Sequence, residues 1–166
     1  MKICLAGEGG QAMSYMQALK EIEGVEVASL AGGIEADVAE FAAEWGIPHH
    51  SLDLAECLAR PGIEAVLLTS PSQVHVAQAE QVLAASKHLM LEIPMALNLA
   101  QSEHLAELEA KSDLTCMVAH TRRFSPMYQE VHRQIQAGEL TPLHIMFQIY
   151  FFRRVNVNRF GKPRTW

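Results

Sequence analysis

Residues 7–12 carry the pattern Gly-x-Gly-x-x-Ala, directly after a short apolar run and before a segment of helical periodicity. In this context the first glycine permits a tight turn, the second lets the backbone approach a pyrophosphate, and the small third residue allows close helix packing. The amino end of the helix then faces the negative charge of the ligand. We therefore predict that Gly7, Gly9, Gly10, Gln11 and Ala12 bind a dinucleotide, NAD or NADP, although such a turn can also serve geometry alone.

Residues 29–35 contain the end of the second apolar run, where dinucleotide-binding proteins distinguish NAD from NADP. No Asp or Glu closes this run, so the carboxylate that would bind a ribose 2′-hydroxyl and repel a 2′-phosphate is missing there. Ser29 and the backbone of Gly32 and Gly33 remain to receive a phosphate. We therefore expect NADP in preference to NAD, with Glu35 as the residue that would reverse this preference.

Four arginines form two adjacent pairs, Arg122 with Arg123 and Arg153 with Arg154. Planar guanidinium groups bind carboxylates through two parallel hydrogen bonds, so these pairs are suited to bind a small anionic substrate. Adjacent side chains on a strand point to opposite faces, so one of Arg153 and Arg154 is expected to line a pocket. The structural alternative for the first pair is ion pairing with Glu130 or with the acidic part of the chain.

His120 lies where the sixth apolar run ends, at the sheet edge that binds ligands in folds of this class. It is the best candidate for a general base, and Tyr150 is a second one. The remaining histidines show no metal-ligand spacing, so we expect no metal.

Short, nearly continuous apolar runs alternate with helical segments, which predicts a parallel sheet covered by helices on both faces. The fold class is therefore α/β, a doubly wound parallel sheet forming a Rossmann dinucleotide-binding domain. The predicted strands are Lys2–Ala6, Val25–Leu30, Ile47–His50, Ala65–Thr69, His88–Glu92 and Thr115–Ala119. The predicted helices are Gln11–Ile22, Glu35–Trp45, Leu54–Arg60, Gln73–Ser86, Leu99–Ser112 and Pro126–Ala137.

The pattern changes after Gly138, because Leu143–Tyr150 reads as a strand and no helix follows it. We predict a Rossmann domain over residues 1–122. Residues 123–166 are predicted to hold a linking helix and the first strand of a second α+β domain that is incomplete. A lone strand exposes an apolar edge unless it pairs with another chain, so we expect either a fragment or a homo-oligomer formed through this strand.

Composition excludes several classes of partner. The formal net charge is −6, which argues against nucleic acid and against an anionic membrane. The charge is unevenly distributed, since residues 1–119 contain 5 Lys or Arg and 17 Asp or Glu, whereas residues 120–166 contain 8 and 2. No apolar stretch is long enough for a membrane span, and the first residues lack a signal-peptide pattern, so we expect a cytoplasmic protein. The 3 cysteines are typical of reduced core thiols.

Three further segments carry a resemblance: Thr69-Ser70-Pro71 with His75, the run from Lys87 through Glu92-Ile93-Pro94, and residues 118–126, VAHTRRFSP. Together with the glycine turn they resemble the glucose-fructose oxidoreductase, inositol dehydrogenase and MocA family, over the whole chain. The resemblance implies that Thr69, Ser70 and Pro71 lie against the cofactor ribose and diphosphate, and that Glu92 lies near the nicotinamide ribose. His75 opens the following helix, where capping or packing is an equal reading.

Ile93 departs from the family pattern, in which a lysine usually reaches the nicotinamide and the substrate. Isoleucine cannot transfer a proton or bind an anion, which counts against a sugar or polyol substrate. The runs HTRRFSP and YFFRRVN, together with Ile93, resemble members that oxidise a carboxylated ring-fission semialdehyde, as a cyclic hemiacetal, in aromatic catabolism. The resemblance therefore implies an NAD(P)-dependent dehydrogenase; a sugar or polyol dehydrogenase and a non-catalytic nucleotide-binding or assembly module remain alternatives.

Overall fold

The computed structural model describes residues 1–148 and residue 150. It divides into two compact units, Met1–Ala119 and His120–Trp166, so the first unit ends shortly before the predicted domain boundary at residue 122. The predicted strands and helices of the first unit are all present.

A single parallel sheet of six strands forms the centre of the first unit, in the order β3-β2-β1-β4-β5-β6. This confirms the predicted doubly wound sheet, because the strand order reverses direction at β1, between its neighbours β2 and β4. The strands are β1 (Lys2–Ala6), β2 (Glu26–Ala31), β3 (His50–Ser51), β4 (Ile63–Leu68), β5 (His88–Leu91) and β6 (Cys116–Val118).

Helices connect the strands and follow local signals in the sequence. The Asn98 side chain accepts a hydrogen bond of 3.0 Å from the Gln101 amide, as an N-cap does, and Gly46 ends a helix at φ 68°. None of the described helices is long and apolar enough to cross a membrane. The helices are α1 (Gly10–Leu19), α2 (Glu35–Trp45), α3 (Leu54–Leu58), α4 (His75–Ala84), α5 (Leu99–Ala110) and α6 (Pro126–Gln136), with a 3₁₀ helix over Thr121–Phe124.

Two apolar clusters cover the two faces of the sheet. Leu5 of β1 packs with α1 and α2, whereas Cys4 and Ala6 of the same strand pack with α3, α4 and α5. Successive residues of a strand point to opposite faces, so a strand buried on both sides needs an unbroken apolar run. Cys4 and Cys57 are fully buried, Cys116 is half-buried, and all three are free thiols.

Several predicted boundaries move by a few residues. Helix α1 ends at Leu19 and not at Ile22, because the chain tightens into turns that lead to Gly24 at φ 79°. Helix α4 begins at His75 and not at Gln73, and the N-cap position is taken by Val74.

The predicted strand over Leu143–Tyr150 is not formed in the described part of this segment, residues 143–148 and 150. A strand requires a hydrogen-bonded neighbour, and no described residue pairs with this segment. Its apolar side chains are exposed, as Leu143 at 94% and Tyr150 at 84% illustrate.

Candidate nucleotide-binding site

Most of the predicted cofactor residues lie at one edge of the sheet. Gly7 follows β1, Gly32 follows β2, Thr69 follows β4 and Glu92 follows β5. Because all strands are parallel, these residues lie at the carboxyl edge, where open α/β sheets bind their ligands. The structure therefore brings the glycine turn, the end of β2 and the loops after β4 and β5 to one edge.

Gly7 has a backbone and surroundings that only glycine fits. Its φ is 110°, and its N–H donates a hydrogen bond of 2.8 Å to the Ala31 carbonyl oxygen. A Cβ atom on Gly7 would lie 2.7 Å from the Thr69 hydroxyl oxygen, which itself donates to the carbonyl of Ala6 at 3.0 Å. The turn thus bends sharply between β1 and α1 while contacting the loop after β4.

Helix α1 begins at Gly9 and Gly10, and its N-terminus faces open space. Gly9 occupies the N-cap position, no side chain caps the helix, and a Cβ atom on Gly9 would meet nothing within 4 Å. Ala12 is fully buried, so the helix packs closely against the sheet. Uncapped N–H groups and open space at a helix N-terminus fit the diphosphate of a dinucleotide.

Glu92 is tied to α1 by two side chains. Its carboxylate accepts hydrogen bonds from the Gln11 amide at 3.0 Å and from the Tyr15 hydroxyl at 2.5 Å. Burial, followed by the hydrogen bond to Glu92, raises the pKa of Tyr15, so the phenol stays a donor. Tyr15 was not among the predicted site residues, and its role depends on the packing of α1 beside β5. Ile93, which follows Glu92, is about half exposed.

The loop after β4 is held in place by His75. This imidazole is buried, with Nε2 at 2.8 Å from the Ser70 carbonyl oxygen and Nδ1 at 2.9 Å from that of Pro94. The Ser70 hydroxyl donates to the Gln78 amide oxygen, and Pro71 is exposed. His75 therefore joins the loops after β4 and β5, which favours the packing reading of this residue.

Two residues predicted to affect the NADP preference are engaged elsewhere. Ser29 is fully buried, and its hydroxyl contacts Nδ1 of His49 at 2.9 Å, so it does not face outward to receive a phosphate. The Glu35 carboxylate faces Nε2 of His50 at 3.9 Å.

The carboxylate of Glu8, in the turn after β1, lies at the end of β2. Glu8 was not among the residues predicted from the sequence. Its carboxylate accepts a hydrogen bond of 3.2 Å from the Gly33 N–H. A Cβ atom on Gly32 would lie 2.7 Å from the other Glu8 oxygen and 2.1 Å from Val38, so only glycine leaves room there. The available signal was an acidic residue inside the glycine pattern, next to a strand that lacks its own terminal carboxylate.

The second unit carries the predicted base and the first arginine pair. His120 is exposed and directly follows Ala119, and its carbonyl accepts from the Arg123 N–H at 2.9 Å. Arg122 and Arg123 lie exposed on the 3₁₀ helix, and the Arg122 guanidinium lies 5.4 Å from the centroid of the Phe147 ring.

The alternative of ion pairing for the first arginine pair is not realised among the described residues. Glu130 instead pairs with Arg133 at 2.9 Å, and this contact lowers the pKa of Glu130. Tyr150 is exposed, whereas Arg153 and Arg154 lie outside the described residues. No group of three or more His, Cys, Asp or Glu side chains in the described part of the chain is placed to hold a metal ion.

Comparison with known proteins decides the family. Residues 1–120 match the model of an oxidoreductase family with an NAD-binding Rossmann fold, the glucose-fructose oxidoreductase, inositol dehydrogenase and MocA family. The chain belongs to this family. Residues 126–166 match the C-terminal domain of bacterial oxidoreductases.

Among curated relatives, the chain is 43% identical over all 166 residues to the 4-carboxy-2-hydroxymuconate-6-semialdehyde dehydrogenase of Sphingobium sp., and spans 53% of that protein. It is 29% identical over 119 residues to the NAD⁺-dependent scyllo-inositol 2-dehydrogenase of Bacillus subtilis, which covers 72% of this chain and 35% of the relative. The chain thus spans about half the length of the first relative, and its match to the second spans about a third of that relative.

Solved structures of dehydrogenases show the same fold. The scyllo-inositol dehydrogenase of Lactobacillus casei, crystallised with NAD(H) and scyllo-inositol, superposes with a TM-score of 0.78 at 24% identity, over 84% of this chain and 42% of that one. The first unit of this GFO/IDH/MocA protein is accordingly an NAD(P)-binding Rossmann domain, and the carboxyl edge is where its nucleotide belongs.

Proposed function

We propose that the chain forms part of an NAD(P)-dependent dehydrogenase that oxidises 4-carboxy-2-hydroxymuconate semialdehyde, in its cyclic hemiacetal form, to 2-pyrone-4,6-dicarboxylate. The observation that carries this proposal is the 43% identity to a dehydrogenase of that semialdehyde, which extends over the whole chain. The reaction belongs to aromatic (protocatechuate) catabolism, and we place it in the cytoplasm.

The nucleotide-binding edge supplies the first requirement of this reaction. A bound nicotinamide nucleotide accepts the hydride that leaves the hemiacetal carbon. Gly7, Gly9 and Gly10 would hold the diphosphate at the start of α1, and the Glu92 carboxylate, fixed by Tyr15, would border the nicotinamide ribose.

Loss of the hydroxyl proton requires a base, for which we propose His120, with Tyr150 as the second candidate. His120 follows the sixth strand directly, and its side chain is exposed. Histidine is the side chain that most often serves as a general base in proteins.

The substrate proposed here carries carboxylates, and the chain offers arginines to bind them. Arg122 and Arg123 are exposed, and neither pairs with a carboxylate among the described residues. Arg153 or Arg154 is proposed as a further donor on the basis of the sequence. The Arg122 guanidinium donates to the Tyr128 hydroxyl and lies over the Phe147 ring. Guanidinium groups that no protein carboxylate holds are suited to bidentate binding of a dicarboxylate.

An inositol or sugar dehydrogenase is the second candidate, favoured by the 29% identity to a scyllo-inositol 2-dehydrogenase. Ile93 counts against it, because an apolar, half-exposed side chain stands where the family resemblance implies a lysine.

We also propose that the protein is a homo-oligomer. A nucleotide-binding or assembly module without catalysis would share that property.

A turnover assay separates these functions. The purified protein is mixed with NAD⁺ or NADP⁺ and either the ring-fission semialdehyde or scyllo-inositol, and nicotinamide reduction is followed by absorbance. We expect reduction with the semialdehyde and none with inositol. Reduction with inositol alone would favour the second candidate, and nucleotide binding without reduction by either compound would favour the non-catalytic module.

A further inference from the structure

The end of β2 is where a Rossmann domain distinguishes the ribose of NAD from that of NADP. In this chain β2 ends at Ala31 without an acidic residue, and the next two residues are Gly32 and Gly33. The carboxylate of Glu8, from the glycine turn after β1, lies over these glycines and accepts the Gly33 N–H at 3.2 Å. We propose that Glu8, in the turn after β1, supplies the carboxylate that β2 lacks, and thereby makes the domain selective for NAD over NADP.

The position of Glu8 is determined by packing on both sides. The Gly7 N–H donates to the Ala31 carbonyl at 2.8 Å, so the turn that carries Glu8 is bonded to the last residue of β2. Gly32 leaves room for the carboxylate, since a Cβ atom there would lie 2.7 Å from one Glu8 oxygen and 3.1 Å from its carboxyl carbon. The Glu8 carboxylate therefore fits at the end of β2 because residue 32 is a glycine.

A carboxylate at this position discriminates by charge and by hydrogen bonding. One oxygen is engaged by Gly33, and carboxylate oxygens have further lone pairs that can accept a ribose hydroxyl. A 2′-phosphate at the same position would bring a second negative group against Glu8, and like-charge contacts of this kind are strongly unfavourable.

No cation of the first unit is placed to offset that repulsion. Residues 1–119 contain 5 Lys or Arg, and all are described. Lys2 is the first residue of β1, Lys87 donates to the first carbonyl of β4, and Arg60 precedes β4. These three lie at the amino edge, roughly 20 Å from the ends of strands of this length. Lys20 covers an indole ring at the far end of α1, and Lys111 pairs within its own segment.

The proposed selectivity for NAD differs from the preference for NADP that the sequence alone predicted. That expectation of NADP depended on a missing carboxylate at the end of β2 and on Ser29 as a phosphate ligand. Ser29 is buried against His49, and Glu8 brings a carboxylate to the vacant position. The inference rests on nucleotide binding by the domain and is independent of which substrate is oxidised.

The test is a pair of binding titrations, with NADH and NADPH, followed by nucleotide fluorescence at low ionic strength. We expect the unmodified protein to bind NADH at least about tenfold more tightly than NADPH, a difference of about 1.4 kcal/mol. Glu8→Gln keeps an oxygen that can accept from Gly33 but removes the charge, so it is expected to narrow the ratio mainly by tightening NADPH. The matched control Glu26→Gln removes a carboxylate at the opposite end of β2, where it pairs with Lys2 at 3.7 Å, and should leave the ratio unchanged.

A gain-of-function variant keeps the test independent of any loss of folding. Gly33 tolerates a side chain, because a Cβ atom there would approach nothing closer than a Glu8 oxygen at 3.9 Å. The double variant E8Q/G33R is therefore expected to bind NADPH more tightly than NADH. Equal binding of both nucleotides by the unmodified protein, or an unchanged ratio in E8Q, would overturn the role of Glu8 while leaving the dehydrogenase proposal intact. Failure of every variant to bind either nucleotide would overturn both.

Discussion

At the residue scale, Gly7 and Gly9 are glycines for different physical reasons. Substitutions at these two positions therefore distinguish an effect on folding from an effect on nucleotide binding. Gly7 combines a φ of 110° with a Cβ position 2.7 Å from Thr69, whereas Gly9 has open space around it. We expect Gly7→Ala to lower the free energy of unfolding by about 1–3 kcal/mol from backbone strain alone. Gly9→Ala should lower the free energy of unfolding less, by no more than about 1 kcal/mol from the change at the N-cap. It should lose affinity for NADH, because its methyl group points into the space meant for the ligand. Urea unfolding and a fluorescence titration measure the two effects, and equal stability of both variants would contradict this reading.

Arg122 also belongs to the residue scale, since its role as a carboxylate ligand depends on one guanidinium group. Each hydrogen bond to a charged partner contributes about 1.5–3 kcal/mol, so Arg122→Ala should raise KM for the semialdehyde roughly 10- to 100-fold. NAD(P)H affinity should not change. Arg133→Ala is the matched control, because its guanidinium is already bound by Glu130 and Glu139. Similar steady-state kinetics for the two variants would assign Arg122 to the surface.

At the scale of the elements, the buried imidazole of His75 connects the loop after β4 to the segment after β5. Both ring nitrogens lie within 2.9 Å of carbonyl oxygens, one from Ser70 and one from Pro94. We expect His75→Ala to lower the free energy of unfolding by roughly 2–4 kcal/mol, from a buried cavity and the loss of the imidazole N–H as a donor to one of these carbonyls. His104→Ala removes a surface contact with Glu80 and should change stability by less than about 1 kcal/mol. Denaturant titrations of both variants decide the matter: a small, equal effect would show that His75 does not hold these loops together.

The strands and helices of the first unit could be predicted from the sequence, whereas the contacts between distant segments could not. Each β-α-β unit is local in the chain, so the apolar runs and helical periods predicted every strand and helix of the first unit. Contacts across the sheet are long-range. The approach of Glu8 to Gly33 and of Tyr15 to Glu92 depends on which strands become neighbours, and residue spacing carries no signal for that. The Leu143–Tyr150 strand failed for a related reason, since strand propensity does not provide the hydrogen-bonding partner that a strand needs.

At the scale of the whole molecule, residues 143–148 and 150 and the charge distribution bear on our proposal of a homo-oligomer. The segment exposes Leu143, Ile145, Met146 and Tyr150, each with at least 74% of its surface accessible. An apolar segment with unpaired backbone groups is a template for pairing with another chain. The acidic composition of residues 1–119 and the basic composition of residues 120–166 give two copies of the chain complementary charges.

We therefore expect the protein to sediment as a homo-oligomer at micromolar concentration, and this segment to carry the contact. Ile145→Lys places a charge among the apolar side chains and should shift the sedimentation equilibrium towards the monomer. Gln136→Lys adds the same charge at an exposed polar position on α6, outside this segment, and should change the mass little. A monomeric parent protein at all concentrations, or equal dissociation of both variants, would mean that the exposed apolar side chains have another use. Thermal unfolding of the two variants checks that a loss of mass comes from the interface, because residues 143–148 contribute no buried side chain to the core.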